Sequence, residues 1–285
     1  MIPRILSIAL LLPAAVVAVA TTAAAQQRPL VTEDPETIGA GRVLLEAGFD
    51  FGRDQFFPAS GLKGNLLRLP LIGVSVGLSS IAELQIDGGV RSQLSIASRT
   101  SAPLSRMITA TGDSTGDVED IVVATKIRVA GESAGRPAVG VRFATRLPNA
   151  GNESGLGLDT TDFFASVLIG KTIQSVRVVG NVGVGILGDP TRGDNQSDVL
   201  TYGASVARAV ATGVEIVGEL NGRFNMQSGT PPVGTESKGV MRFGARVTRG
   251  AGRIDGALLI GTTTRDPSFG FAGGFTYVFN AFHVP

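Results

Sequence analysis

From Gly41 to Phe282 polar and apolar residues alternate with a period of two, segment after segment, and this constrains the fold more than any motif in the chain. In the stretch AELQIDGGVRSQLSI, Ala82 to Ile96, one parity carries Glu83, Gln85, Asp87, Gly89, Arg91, Gln93 and Ser95. The other carries Leu84, Ile86, Gly88, Val90, Ser92, Leu94 and Ile96. Successive strand side chains point to opposite faces, so the stretch reads as a strand with one charged and one mostly apolar face. In a soluble sandwich the apolar face would meet a second sheet; in a membrane barrel it would meet lipid.

The same unit recurs along the chain. An alternation starts at Gly41, with Val43, Leu45, Ala47, Phe49 and Phe51 on one parity. Asn65–Leu78 follows; around its Pro70 the apolar set changes parity, from Leu67, Leu69 and Leu71 to Val74, Val76 and Leu78, as a β-bulge would cause. Further strands are expected at Asp117–Val129, Ala138–Leu147, Thr161–Gly170, Val176–Leu187, Val199–Val210, Val214–Phe224, Val240–Val247, Arg253–Thr263 and Ser268–Phe282. The total is about twelve, an even number of the sort single-chain outer-membrane barrels use.

The connections sort by length. Arg53–Gly64, Ala97–Gly116, Pro148–Thr160, Gly188–Asp198 and Asn225–Lys238 are long and polar. Ser79–Ile81, Lys171–Ser175, Ala211–Gly213 and Arg249–Gly252, which alternate with them, are short; Thr264–Pro267 is a short exception among the first kind. Long extracellular loops against short periplasmic turns are the asymmetry of an outer-membrane barrel, and a soluble sandwich has no reason to show it. Aromatics fall near strand ends: Phe49, Phe51, Phe163, Tyr202, Phe224, Phe269 and Phe271 on the outer side, and Tyr277, Phe279 and Phe282 on the other, as interfacial girdles would. The fold class read from the sequence is all-β, an antiparallel transmembrane barrel.

Residues 1–25 read as a secretory signal, with Arg4 as the positive region, Ile5–Ala20 as the apolar core and Ala23-Ala24-Ala25 as the cleavage site. The organisation expected is signal peptide 1–25, periplasmic lead-in 26–40, barrel 41–282 and tail 283–285. After residue 25 no apolar run approaches the roughly 20 residues of a spanning helix, so insertion must be by strands. A net charge of +1 without a basic run argues against nucleic acid as a partner. Outer-membrane lipid and lipopolysaccharide, the barrel assembly machinery and a small solute are the expected partners.

The polar parities converge on one set of inward charges: Glu46, Asp50, Glu83, Asp87, Arg91, Asp120, Lys126, Arg128, Arg142, Arg146, Asp162, Arg177, Glu215, Glu219, Arg223, Arg242, Arg246 and Asp255. A face this charged is too costly to bury dry unless its members pair. The lumen is expected to be either a wet, charge-lined pathway or a plugged lattice of ion pairs. Across the 130–136 turn the reading places Asp120 directly beside Arg146, and across Arg249–Gly252 it places Arg246 beside Asp255.

The lead-in Arg28-Pro29-Leu30-Val31-Thr32-Glu33-Asp34-Pro35 resembles the start of the MetA-pathway-of-phenol-degradation family of outer-membrane proteins. Gly116-Asp117 leading to Lys126, Leu147-Pro148 after a strand, and Glu219-Leu220-Asn221-Gly222 are similar to that family's internal features. The resemblance covers essentially the whole mature chain. It implies a barrel that passes small, often aromatic, compounds across the outer membrane, and it brings no catalytic residues. Two departures stand out: Phe282 is followed by His283-Val284-Pro285 where barrels often end on an aromatic residue, and the chain has no Trp for its girdles.

Enzymatic readings find little to stand on. The single histidine, His283, lies in the tail, where it cannot activate a nucleophile inside a barrel. Gly155-x-Gly157 and Gly183-x-Gly185 do not open a helix after a strand, so they are not phosphate loops. Asp189, Asp194 and Asp198 lack the spacing of a calcium-binding EF-hand loop, and Arg192-Gly193-Asp194 is a chance tripeptide. No enzyme, cofactor or metal is expected. The reading is a passive outer-membrane channel for small solutes; its rivals are a structural or adhesive barrel with a plugged lumen and a soluble periplasmic β protein.

Overall fold

The computed structural model describes residues 28–283. The expected signal segment, the first two residues of the lead-in and the last two of the tail lie outside them. Among the described residues there are fourteen strands: β1 Arg42–Phe57, β2 Leu62–Gly77, β3 Ala82–Gly89, β4 Ser92–Arg99, β5 Ser114–Asp117, β6 Ile121–Ala130, β7 Ala138–Leu147, β8 Asp162–Ile173, β9 Val176–Gly188, β10 Gln196–Ala211, β11 Val214–Asn225, β12 Lys238–Arg249, β13 Gly252–Gly261 and β14 Phe269–Asn280. They form one antiparallel sheet closed on itself, because β1 pairs with both β2 and β14. The lower half of β2 pairs with β3 and its upper half with β4, while β6 and β5 follow them in the same way. Each of these broken pairs is one stave, so the fourteen strands make a twelve-stave barrel.

The wall is two-faced along its whole circumference. Ile254, Leu258, Phe143, Val182 and Val184 are exposed, and Ile254 reaches 66%. Their neighbours in the chain, such as Arg253, Asp255, Leu259 and Ala144, are buried. This is the reverse of a soluble protein, and it is the arrangement of strands whose outer face meets hydrocarbon. On that face Phe271 packs against Phe51 and Phe49 with ring centroids 5.0 and 6.0 Å apart. At the periplasmic rim Tyr277 stacks between Phe275 and Phe279. The turn between β10 and β11 is tight because Gly213 takes φ +71°, a conformation in which a side chain would meet the Thr248 carbonyl.

The structure corrects the sequence reading at several points. The loop expected over Arg53–Gly64 is a tall hairpin: β1 runs to Phe57 and β2 begins at Leu62, leaving a short connection. The strand expected over Asp117–Val129 is divided into β5 and β6. The bulge expected near Pro70 is present, as a register shift in the β1–β2 pairing between Gly48 and Asp50. It carries a consequence for the next stave. The stretch 82–96 changes face between β3 and β4: Glu83 and Gln85 are buried, and so are Ser92 and Leu94, while Arg91 and Gln93 are exposed. Arg91 therefore leaves the inward set. Gly88 and Gly89 lie in this crossing, where no side chain marks the face.

Of the two hairpin registers expected, Arg246 opposite Asp255 is present. Arg146 instead pairs with Val122, one diagonal away from Asp120, because the hairpin closes on the Ser133–Arg136 bridge, later in the chain than the centre of a 130–136 turn; the bulge between Arg128 and Ala130 takes back one residue of that displacement. The direct partner of Arg146 across the next ladder is Asp162 on β8.

A lumen threaded by the chain's own first residues

The expected periplasmic lead-in is not outside the barrel. Arg28 Nη2 donates to the Gly273 carbonyl at 2.8 Å, and its guanidinium lies 3.7 Å from Asp255. The backbone N–H groups of Val31 and Thr32 both donate to Glu219 on β11. Glu33 meets Lys126 of β6 at 3.4 Å and Arg142 of β7 at 3.1 Å, and its carbonyl accepts from Asn181 of β9 at 2.8 Å. Asp34 pairs with Arg177 at 2.7 Å, Glu36 with Arg128 at 2.5 Å, and the Ile38 N–H donates to Glu83 at 2.7 Å. One extended segment can touch β3, β6, β7, β9, β11, β13 and β14 at once only from inside the ring. Its charges, one cation followed by three anions, mirror those of the wall it meets.

Glycine makes the room. A Cβ at Gly48 or Gly274 would collide with the Arg28 guanidinium, so the wall is bare where that side chain lies. Around Glu33 the polar groups form a lattice. Lys126, fully buried, reaches Glu83 at 3.0 Å and Glu33 at 3.4 Å. Gln85 donates to both carboxylates and accepts from Arg142 at 2.8 Å. Every member compensates another, which is the condition for keeping charge away from water.

The remaining inward residues sort by height. Near the periplasmic rim Glu215 accepts from Arg246 at 2.7 Å and lies 3.9 Å from Arg253; at mid-height Arg242 reaches Glu219 at 3.1 Å. Glu46 accepts from Thr276 at 3.2 Å, and Asp87 faces the backbone of Gly73. Asp50 stands opposite Arg68. Towards the extracellular side Arg146 is clasped by buried Asp162 and lies 3.7 Å from Asp120, which also accepts from the N–H groups of Asn149 and Ala150. Arg223 donates to the carbonyls of Glu236 and Gly234.

Sequence reasoning missed the segment's own Arg28, Glu33, Asp34 and Glu36, together with Arg68, Glu119, Lys238 and Arg253 on the wall. A signal for the first group existed. Arg128 and Arg177 lie near the periplasmic ends of their strands and Arg142 half-way along its own, and the acidic residues 33, 34 and 36 sit just before the first strand. Glu132, in the 131–137 turn at that rim, holds Arg177 at 2.5 Å and Lys171 at 3.5 Å. Burial pushes its carboxyl up, but the Thr172 hydrogen bonds and the two cations outweigh this and hold it below the usual carboxylate range. In the 189–195 loop Asp189 accepts from Thr191 and Asn195, so it caps a turn.

No protein-family model matches the chain, and no curated sequence does. Solved structures do. The chain is similar to the COG4313 outer membrane channel from Pseudomonas putida F1, with a TM-score of 0.60 and 14% identity over 86% of this chain and 98% of that one. It is similar to the translocator domain of the autotransporter NalP from Neisseria meningitidis, with a TM-score of 0.46 and 12% identity over 85% and 88% of the two chains. It is also similar to LpxR from Salmonella typhimurium, at 0.45 and 12% over 84% and 100%. At these identities the likeness is one of fold. The class that fold, apolar outer face and charged interior define is the outer-membrane β-barrel.

Proposed function

We propose that the protein is an outer-membrane channel through which small solutes, aromatic and hydrophobic ones among them, pass passively along a lumen narrowed by residues 28–40. The observation that carries this reading is how the segment is held: by ion pairs and hydrogen bonds to opposite walls, at Asp255, Glu219, Lys126, Arg142, Arg177 and Arg128. Such contacts can exchange for water or solute without a covalent change. The fold it shares with the Pseudomonas putida channel and the resemblance to the phenol-degradation family support the same reading. The outward apolar belt would sit in lipid and lipopolysaccharide after insertion by the barrel assembly machinery. Catalysis forms no part of the proposal, since the one histidine, His283, lies beyond the last strand.

A structural or adhesive barrel is the second reading, and one observation favours it: most inward charges already have partners on the segment or the wall. Planar bilayers separate the two. The protein should conduct ions with weak selectivity, because inward charges of both signs are present. Replacing Arg142 and Arg242 by Ala removes contacts to Glu33 and Glu219, and should raise the conductance or make it fluctuate while heat-modifiable gel mobility stays that of a folded barrel. Silence from both proteins, with insertion shown independently, would select the structural reading.

A further inference from the structure

Above the threaded segment the lumen holds a second feature, a cavity of about 330 Å³ bounded by the upper wall and by the inward-folded loops 148–161 and 226–237. Four cations line it, Arg68, Arg146, Arg223 and Lys238, against two carboxylates, Glu119 and Asp120. Two of the cations are spoken for. Arg68 lies 3.3 Å from Glu119, and Arg146 is held between Asp162 and Asp120. The other two are not. Arg223 and Lys238 stand directly opposite each other across the β11–β12 ladder, an arrangement that is unfavourable for like charges.

Among the described residues no carboxylate lies within 4.0 Å of either, and the Lys238 ammonium has no hydrogen-bond partner. Arg223 spends its Nε and Nη2 groups on the Glu236 and Gly234 carbonyls, which leaves Nη1. The carboxylates sharing this corner are turned elsewhere: Asp266 accepts from Gly239 at 3.0 Å and Thr263 at 3.1 Å, and Glu236 faces Arg265 at 4.0 Å. Apart from Ser92, the remaining side chains of the lining are apolar, Phe57, Leu66, Leu156 and Leu158 among them.

From this geometry we infer that the cavity is a binding site for a small organic carboxylate with an apolar body, its carboxylate between Lys238 and Arg223 Nη1. An anion there relieves the like-charge pair and gives the half-buried Lys238 ammonium a charged partner that the protein itself does not supply. The apolar side chains then take the hydrocarbon part, and the volume falls at the small end of ligand pockets, about 300–1,000 Å³. An inorganic anion would leave the leucines and Phe57 facing nothing.

As a statement about a transported substrate this rests on the channel reading; as a statement about a site it does not. The test is therefore binding at equilibrium, which is independent of conduction. Benzoate and its uncharged counterpart benzyl alcohol would be titrated by calorimetry into the full protein in nanodiscs. Benzoate should bind about ten-fold or more tighter than benzyl alcohol, as one added charge-assisted hydrogen bond implies. Lys238→Met should remove most of that preference and Lys238→Arg should keep it, with heat-modifiable mobility verifying folding. Equal binding of the two ligands by the wild-type protein overturns the proposal whether or not the variants fold. So does a folded Lys238→Met protein that still prefers benzoate.

Discussion

Lys126→Met is expected to destabilise the barrel by about 3–5 kcal/mol, the usual consequence of removing one partner from a buried ion pair. Lys126 is fully buried, and its ammonium lies between the carboxylates of Glu83 and Glu33. Methionine fills much the same volume, so the loss is electrostatic: two desolvated carboxylates remain, with Arg142 as the nearby cation left to answer Glu33. The companion variant Lys126→Met/Glu83→Gln removes one of those charges and should recover a substantial part of the loss. Urea unfolding from lipid vesicles measures both. A double variant no more stable than the single one would mean that the lattice around Glu33 does not hold the barrel together.

Phe143→Arg is expected to cost about 2–4 kcal/mol, the price of a cation on the lipid face near mid-depth. Phe143 is 54% exposed and midway along β7, so nothing in the protein can compensate the new charge. Gly193→Arg, in an extracellular loop where an added Cβ would have nothing within 4 Å, is the matched control and should be nearly neutral. Gln85, although on the opposite parity from the lipid-facing residues, is unsuitable for this purpose because it is bound into the Glu33–Glu83–Arg142 lattice. Equal damage at positions 143 and 193 would remove the membrane from the account.

Alternation carried most of the wall, because a strand with lipid on one side and polar groups on the other writes its face into every second residue. It failed at Gly88-Gly89, where the chain changes face without a side chain to record it, and Arg91 was lost there. It failed again for residues 28–40, which have no period because they belong to no sheet. Their role shows only in charge complementarity with Arg128, Arg142 and Arg177, three residues distant in sequence. Lys238 went unnoticed for a third reason: read as the end of a loop, it is the first residue of β12, and only the ladder places it opposite Arg223.

The position of Arg28 has a bearing on how the molecule is put together. It touches β1 at Gly48, β14 at Gly273 and Gly274, and β13 at Asp255, so it lies across the seam where the first and last staves meet. The barrel cannot zip shut around an empty space and be filled later by the same residues without passing them through the rim. The segment must therefore either lie in place when the β1–β14 ladder closes or enter afterwards through the rim. A reporter or affinity tag joined directly ahead of Arg28 would start its path within the wall and have to be swallowed or threaded. One joined after Ala281, which hydrogen-bonds to Gly41 at the rim, starts outside it.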